Sequence, residues 1–339
     1  MIWLLAVLVL SGISAQGQTI TETFGSGANQ FSIDFVQIGN PGNAADTTGS
    51  PNPVGSVGYV FNLGKYEISR DIIDKANSLG GLGVSMYDMT SYGGNGANRP
   101  ATGVSWNEAA RFVNWLNTSR GYQAAYRFIT SGQNDNISLW DEGVASNQGN
   151  RGLLNRFRHK DAYYFLPSID EWYKAAYGAP TGEWFNYPTG GDAIPEQTRG
   201  GTAQGTAVFG FSQESGPADI MDAGGLSKYG TMAQGGNALE WMENTLYGNN
   251  SSVVAVREAR GGNWYNGTAT DYYGTGDGLI NMRTYSFDPD WENVLAAGGF
   301  RVASVPEPSS LSLLLAGGAV LMAGRRRFLK IKNSKKGWG

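Results

Sequence analysis

Polar and apolar residues alternate through QFSIDFVQI, where Phe31, Ile33 and Phe35 share one face, the two-residue period of a half-buried strand. Tyr59, Phe61 and Leu63 repeat that period in GYVFNLGKYEIS and predict a second strand, with the turn-rich GNPGNAADTTGSPNP of residues 39–53 as the connection. The period then changes. Ser69 is placed to cap a short helix carrying Ile72, Ile73 and Ala76. In VSWNEAARFVNWLNTS, Ser105 and Glu108 have capping-box spacing, and Trp106, Ala109, Ala110, Val113 and Leu116 form the stripe of a helix that should pack on the sheet. FLPSIDEWYKAAYG repeats the arrangement with Ser168 and Glu171, an apolar face of Ile169, Trp172, Tyr173 and Ala176, and Gly178 as the stop. Glu108 and Glu171 thus read as caps in preference to acid/base catalysts.

Beyond residue 180 the periodicity fades into glycine-rich loops carrying aromatic residues, until GGFRVAS at 298–304. No repeat or break in composition divides residues 20–304, which read as one domain. Glycine is 50 of 339 residues, but 12% aromatic and 41% hydrophobic residues exclude disorder and indicate a folded, loop-rich body. The chain has no cysteine, which removes disulfides, thiolate metal sites and cysteine nucleophiles at once. Its one histidine, His159, lies among charges in RFRHKD and reads as a solvated loop side chain. No serine–histidine triad is credible, and GTGDG at 274–278 lacks the lysine and helix of a phosphate loop, so it reads as a surface turn.

Both ends read as addresses. Residues 1–15 are an apolar run followed by SGISA, with Ala15 at a cleavage position, and predict a secretory signal; an uncleaved anchor is the alternative. Near the other end, Val305, Pro306, Glu307 and Pro308 precede an uncharged run at 311–324, and Arg325, Arg326 and Arg327 stop it. Fourteen residues of helix span only ~21 Å, so the run crosses a bilayer only with help from its flanks and snorkelling arginines; a buried terminal helix is the alternative. This three-part order, over residues 305–327, resembles the PEP-CTERM sorting signal of Gram-negative bacteria, recognised by exosortase. It implies export through the inner membrane, an exosortase-type partner, and a final place in the envelope, on the outer surface or outside the cell. The tail at 328–339 is basic. Seven of the 25 Lys and Arg lie in the last fifteen positions, which leaves 18 against 29 acids elsewhere, a net charge of −11 that argues against nucleic acid.

The ordered blocks GKYEIS, VSWNEAARFVNWLN, YYFLPSIDEWYKAA, GLSKYGTMAQGGNALEWMENT, ARGGNW and GGFRVA resemble the formylglycine-generating enzyme, or sulfatase-modifying factor, family. The resemblance covers roughly residues 30–304 and implies a modified C-type-lectin-like α+β fold, here a single loop-rich domain at 16–304. It also implies a calcium site in NALEW, with side-chain oxygens from Asn237 and Glu240 and carbonyls from Ala238 and Met242, all hard ligands; alternatively Asn237 and Glu240 only brace a turn under Trp241. Active members carry two copper-binding cysteines just past Arg-Gly-Gly, and that spacing falls here on Asn266 and Asp271, which cannot act as thiolates, so no copper is expected. Asn266, Asp271, Tyr265 and Arg301 are the candidates for lining a ligand cleft, whereas Arg260, Gly261, Gly262 and Trp264 read as scaffold.

A cysteine and copper oxidase is therefore excluded by composition. Two functions stay open on the sequence: a non-catalytic binding or structural module with an envelope glycan or protein as ligand, and an enzyme of other chemistry in the same pocket.

Overall fold

The computed structural model describes residues 19–129, 137–244, 257–265 and 297–306. The strand expected at Phe31 forms as β2 (Phe31–Ile38), and ahead of it lies β1 (Thr19–Phe24), which the sequence reading did not anticipate. The two are antiparallel with Phe24 opposite Phe31, and their rings stack at 5.4 Å. β3 (Phe61–Gly64) pairs with the other edge of β2. Its Phe61 and Leu63 are fully buried, as the alternation requires. The short strand Ala303–Ser304 comes next, inserted between β3 and the strand Tyr164–Phe165, so the sheet has five antiparallel strands.

Among the described residues, three α-helices pack around this sheet and the loops. α1 (Arg70–Gly80) starts at Ser69, whose hydroxyl accepts from the Ile72 amide, and ends at Gly81 in the left-handed region. α2 (Trp106–Ser119) and α3 (Ile169–Tyr177) both begin with a complete capping box, Ser105 with Glu108 and Ser168 with Glu171. Gly178 does stop α3, though by close approach and not by a left-handed turn: a Cβ there would sit 2.7 Å from the Lys174 carbonyl. α2 is locked to the sheet by Asn117, whose Oδ1 accepts from the amides of Tyr163 and Tyr164 while its Nδ2 donates to the Tyr164 carbonyl.

A second sheet of three short strands holds Leu239–Trp241 at its centre, antiparallel to Ala259–Arg260 and parallel to Gly298–Gly299. Two indoles join it to α2. Trp106 Nε1 donates to the Met242 carbonyl at 2.9 Å, and Trp241 Nε1 donates to the Val104 carbonyl at 2.8 Å. Each tryptophan thereby buries its ring without stranding its N–H.

His159 differs from expectation. It ends the strand Asn155–His159, pairs with Ala145 and is buried, its ring edge-on to Trp140 at 4.7 Å. Strand pairing draws it inward despite its charged neighbours. The signal segment 1–15, the apolar run at 311–324, the turn at 274–278 and the basic tail lie outside the described residues. Among the described residues, no helix is long and apolar enough to cross a membrane.

Candidate functional site

The segment RGGNW is built as a brace. Gly261 and Gly262 have φ of 104° and 69°, and a Cβ on Gly261 would approach the Gln234 carbonyl at 3.0 Å, so glycine is required there by both torsion and space. Arg260 is fully buried, paired with Glu258 and donating to the Ser50 carbonyl. Trp264 is held on three sides: its amide donates to Asn237, its indole N–H donates to Gln213, and its carbonyl accepts from Phe211. Tyr265 then stands edge-on to Trp264 at 5.0 Å, half-buried, with burial raising its phenol above the ordinary value.

Phe211 connects this brace to an open cavity of about 340 Å³, because it packs on the cluster around Trp264 and also lines the cavity. The Arg199 guanidinium lies 4.5 Å from the Phe211 ring centroid and donates to Ser215 Oγ at 2.7 Å. Arg99, Asp219 and Asp222 complete a wall of mixed charge. The arrangement offers donors, acceptors and an aromatic face, which suits recognition of a polar ligand. Of the sequence-predicted cleft residues, Tyr265 packs on the same Trp264 cluster as Phe211 but does not line the cavity. Asn266 and Asp271 lie outside the described residues.

Arg301 is not a cleft residue. It is fully buried, forms an ion pair with Glu240, and donates to the carbonyls of Gly64, Lys65 and Met232. It was a candidate for lining the cleft, but the carbonyls of Gly64, Lys65 and Met232 take it into the core instead.

The calcium candidates are committed to protein partners in the same way. Glu240 Oε2 accepts from Arg301 Nε at 2.6 Å and from Trp172 Nε1 at 2.6 Å, while Oε1 accepts from Arg301 Nη2. Asn237 Oδ1 accepts from the Ala218 amide at 2.8 Å, and its Nδ2 donates to Glu67 at 2.7 Å. The Met242 carbonyl accepts from Trp106. A calcium ion at Glu240 would face the guanidinium directly and displace an indole, so Asn237, Glu240 and Met242 do not fit it as they stand. Burial, reinforced by Glu240, pushes Glu67 up to about 8. A proton can thus offset the carboxylate that Arg301 leaves unbalanced.

Sequence reasoning missed a second buried network. Arg158 contacts Glu171 at 2.9 Å and Glu243 at 2.7 Å, lies 3.6 Å from the Phe165 ring centroid, and is shielded further by Tyr126, whose hydroxyl donates to Glu243. The alternation of NRFRH gave no signal for it, since a two-residue period turns Arg158 away from the face of Phe157, yet both are buried. The resemblance of Glu171 to a cap concealed its second partner.

The sulfatase-modifying factor enzyme 1-like domain family matches residues 36–303. No curated protein matches the chain in sequence. Among solved structures the chain is similar to Treponema denticola variable protein 1, with a TM-score of 0.52 and 16% identity over 85% of this chain and 99% of that one. It is also similar to CarF, with a TM-score of 0.54 and 15% identity over 81% and 99%. At such identities the likeness is one of fold, the C-type-lectin-like α+β arrangement expected from the sequence.

Proposed function

Since the chain belongs to the sulfatase-modifying factor enzyme 1-like domain family, we propose that it is a non-catalytic member, exported and sorted to the cell envelope, which uses the scaffold to bind an envelope glycan or protein. The observation that carries this reading is the complete absence of cysteine from the 339 residues. Copper(I) capture and exchange with a substrate thiol both require a soft thiolate, and asparagine and aspartate at 266 and 271 offer hard oxygens instead. The brace around Trp264 is complete without any reactive group, so loss of the thiols leaves the fold intact. The cavity lined by Phe211, Arg199 and Arg99 supplies the binding surface. The sorting pattern at 305–327 supports delivery to the envelope.

The test is an assay of the purified protein with copper, oxygen, reductant and a cysteine-containing sulfatase peptide, read by mass spectrometry. No conversion of the peptide cysteine and no stoichiometric Cu(I) binding are expected. A protein-dependent mass loss on the peptide would overturn the reading.

A further inference from the structure

A larger cavity, of about 480 Å³, opens between the loop at 53–59, the loop at 147–152 and the first turn of α3, and shares no lining residue with the one beside Phe211. Asp170 lines it. This carboxylate is buried, and Oδ1 accepts from the Gly55 amide at 2.7 Å, whereas Oδ2 stands 3.7 Å from Arg151 Nε, too far for a hydrogen bond. Burial holds the Asp170 carboxyl above its ordinary range. Arg151 is the exposed partner on the rim. It keeps φ at 50°, in the left-handed region that disfavours a long side chain, and such strain gathers at functional sites. Tyr59 forms an aromatic wall, its hydroxyl fixed on Glu171 Oε1 at 2.6 Å, beside the apolar Val57.

We propose that this cavity is a carbohydrate subsite for a neutral pyranose. The charges decide the ligand class. A carboxylate and a guanidinium 3.7 Å apart set one repulsion against one attraction for any ion of single sign. A vicinal diol meets both, because one hydroxyl donates to Asp170 Oδ2 and another accepts from Arg151, with the Asn147 amide able to do either. The C–H face of the ring then lies on Tyr59 and Val57. The volume falls within the roughly 300–1,000 Å³ typical of small-molecule sites. The site does not depend on the function proposed for the cavity beside Phe211.

Titration calorimetry and saturation-transfer NMR on the purified full-length protein, with N-acetylglucosamine, galactose, maltose, cellobiose, glucuronate and L-alanine as probes, test this. At least one neutral saccharide is expected to bind, and better than glucuronate or alanine. Gly58 lines the cavity, is exposed, and its Cβ would meet nothing within 4 Å, so Gly58→Trp should fold normally, occupy the space and weaken binding at least about tenfold. Arg151→Gly should weaken it similarly with no loss of melting temperature, since glycine is at ease at φ 50°. Tyr265→Ala, in the cluster behind the other cavity, should leave it unchanged. The proposal fails if no neutral saccharide binds, if glucuronate or alanine binds in preference, if binding survives Gly58→Trp, or if Tyr265→Ala abolishes it.

Discussion

Arg158 lies between two carboxylates that burial alone would discharge. For Glu171 burial works against ionisation, but the Arg158 charge and hydrogen bonds outweigh it and hold the carboxyl below its ordinary value; for Glu243 burial prevails and the value rises. Removing the cation leaves both acids facing each other in the core. Arg158→Met should therefore lower stability by about 3–5 kcal/mol in urea titration, and adding Glu243→Gln should recover part of the loss. A loss under about 1 kcal/mol would show that the network is not structural. Burial moves the titration of His159 away from that of an exposed imidazole. Burial lowers it below 6.5, so the unfolded chain takes up its proton first as the solution is acidified. Its contribution to stability is present above pH 6.5 and lost as the pH falls through the folded-state value. Because it is the only histidine, NMR should show one imidazole titration with its midpoint below 6.5, and a midpoint above that would contradict the burial.

Between elements, Arg301 and Glu240 join the turn after Gly298–Gly299 to the strand Leu239–Trp241, and Asn237 with Glu67 fastens the start of that strand to the end of β3. These are the joints where calcium was expected. With protein donors on the Glu240 and Asn237 oxygens, adding a chelator to the purified protein should leave its thermal melt unchanged, and a marked drop in melting temperature would restore the metal. The elements differ in how plainly the sequence announces them. α2 and α3 were legible because their signals are local: a serine, a glutamate three residues later, and an apolar stripe. β2 was legible from alternation. The strand Ala303–Ser304 was not, because two residues carry no period and its partners lie 242 residues away at Asn62 and 140 away at Tyr164. Burial of Arg301, Arg158 and His159 was hidden for the same reason, since each depends on carbonyls, acids or rings supplied by distant segments. The cleft was legible only as RGGNWY, and its Arg199–Phe211 wall belongs to a stretch without periodicity.

For the whole molecule, the five-stranded sheet sets how much of the chain is indispensable. Among the described residues none beyond Ser304 pairs in the sheet, so a protein shortened by residues 305–339 should keep its circular dichroism and melting temperature and, under the proposed sorting, leave the membrane fraction. Ending the chain at residue 296 instead deletes Ala303–Ser304 from the middle of the sheet together with Arg301, and it should give no cooperative melt although all three helices remain encoded. A cooperative melt from that shorter chain would show that the central strand is dispensable. The placement of this strand also fixes an order of events. Because the chain is made from its N-terminus, β1, β2 and β3 can form their meander early, yet the free flank of β3 has no neighbour until about 240 further residues have been synthesised. Through that interval β3 and Tyr164–Phe165 present unpaired backbone edges, the templates on which chains aggregate. The last strand to arrive is the one that seals them, so newly made chains need shelter from one another for most of the time of their synthesis.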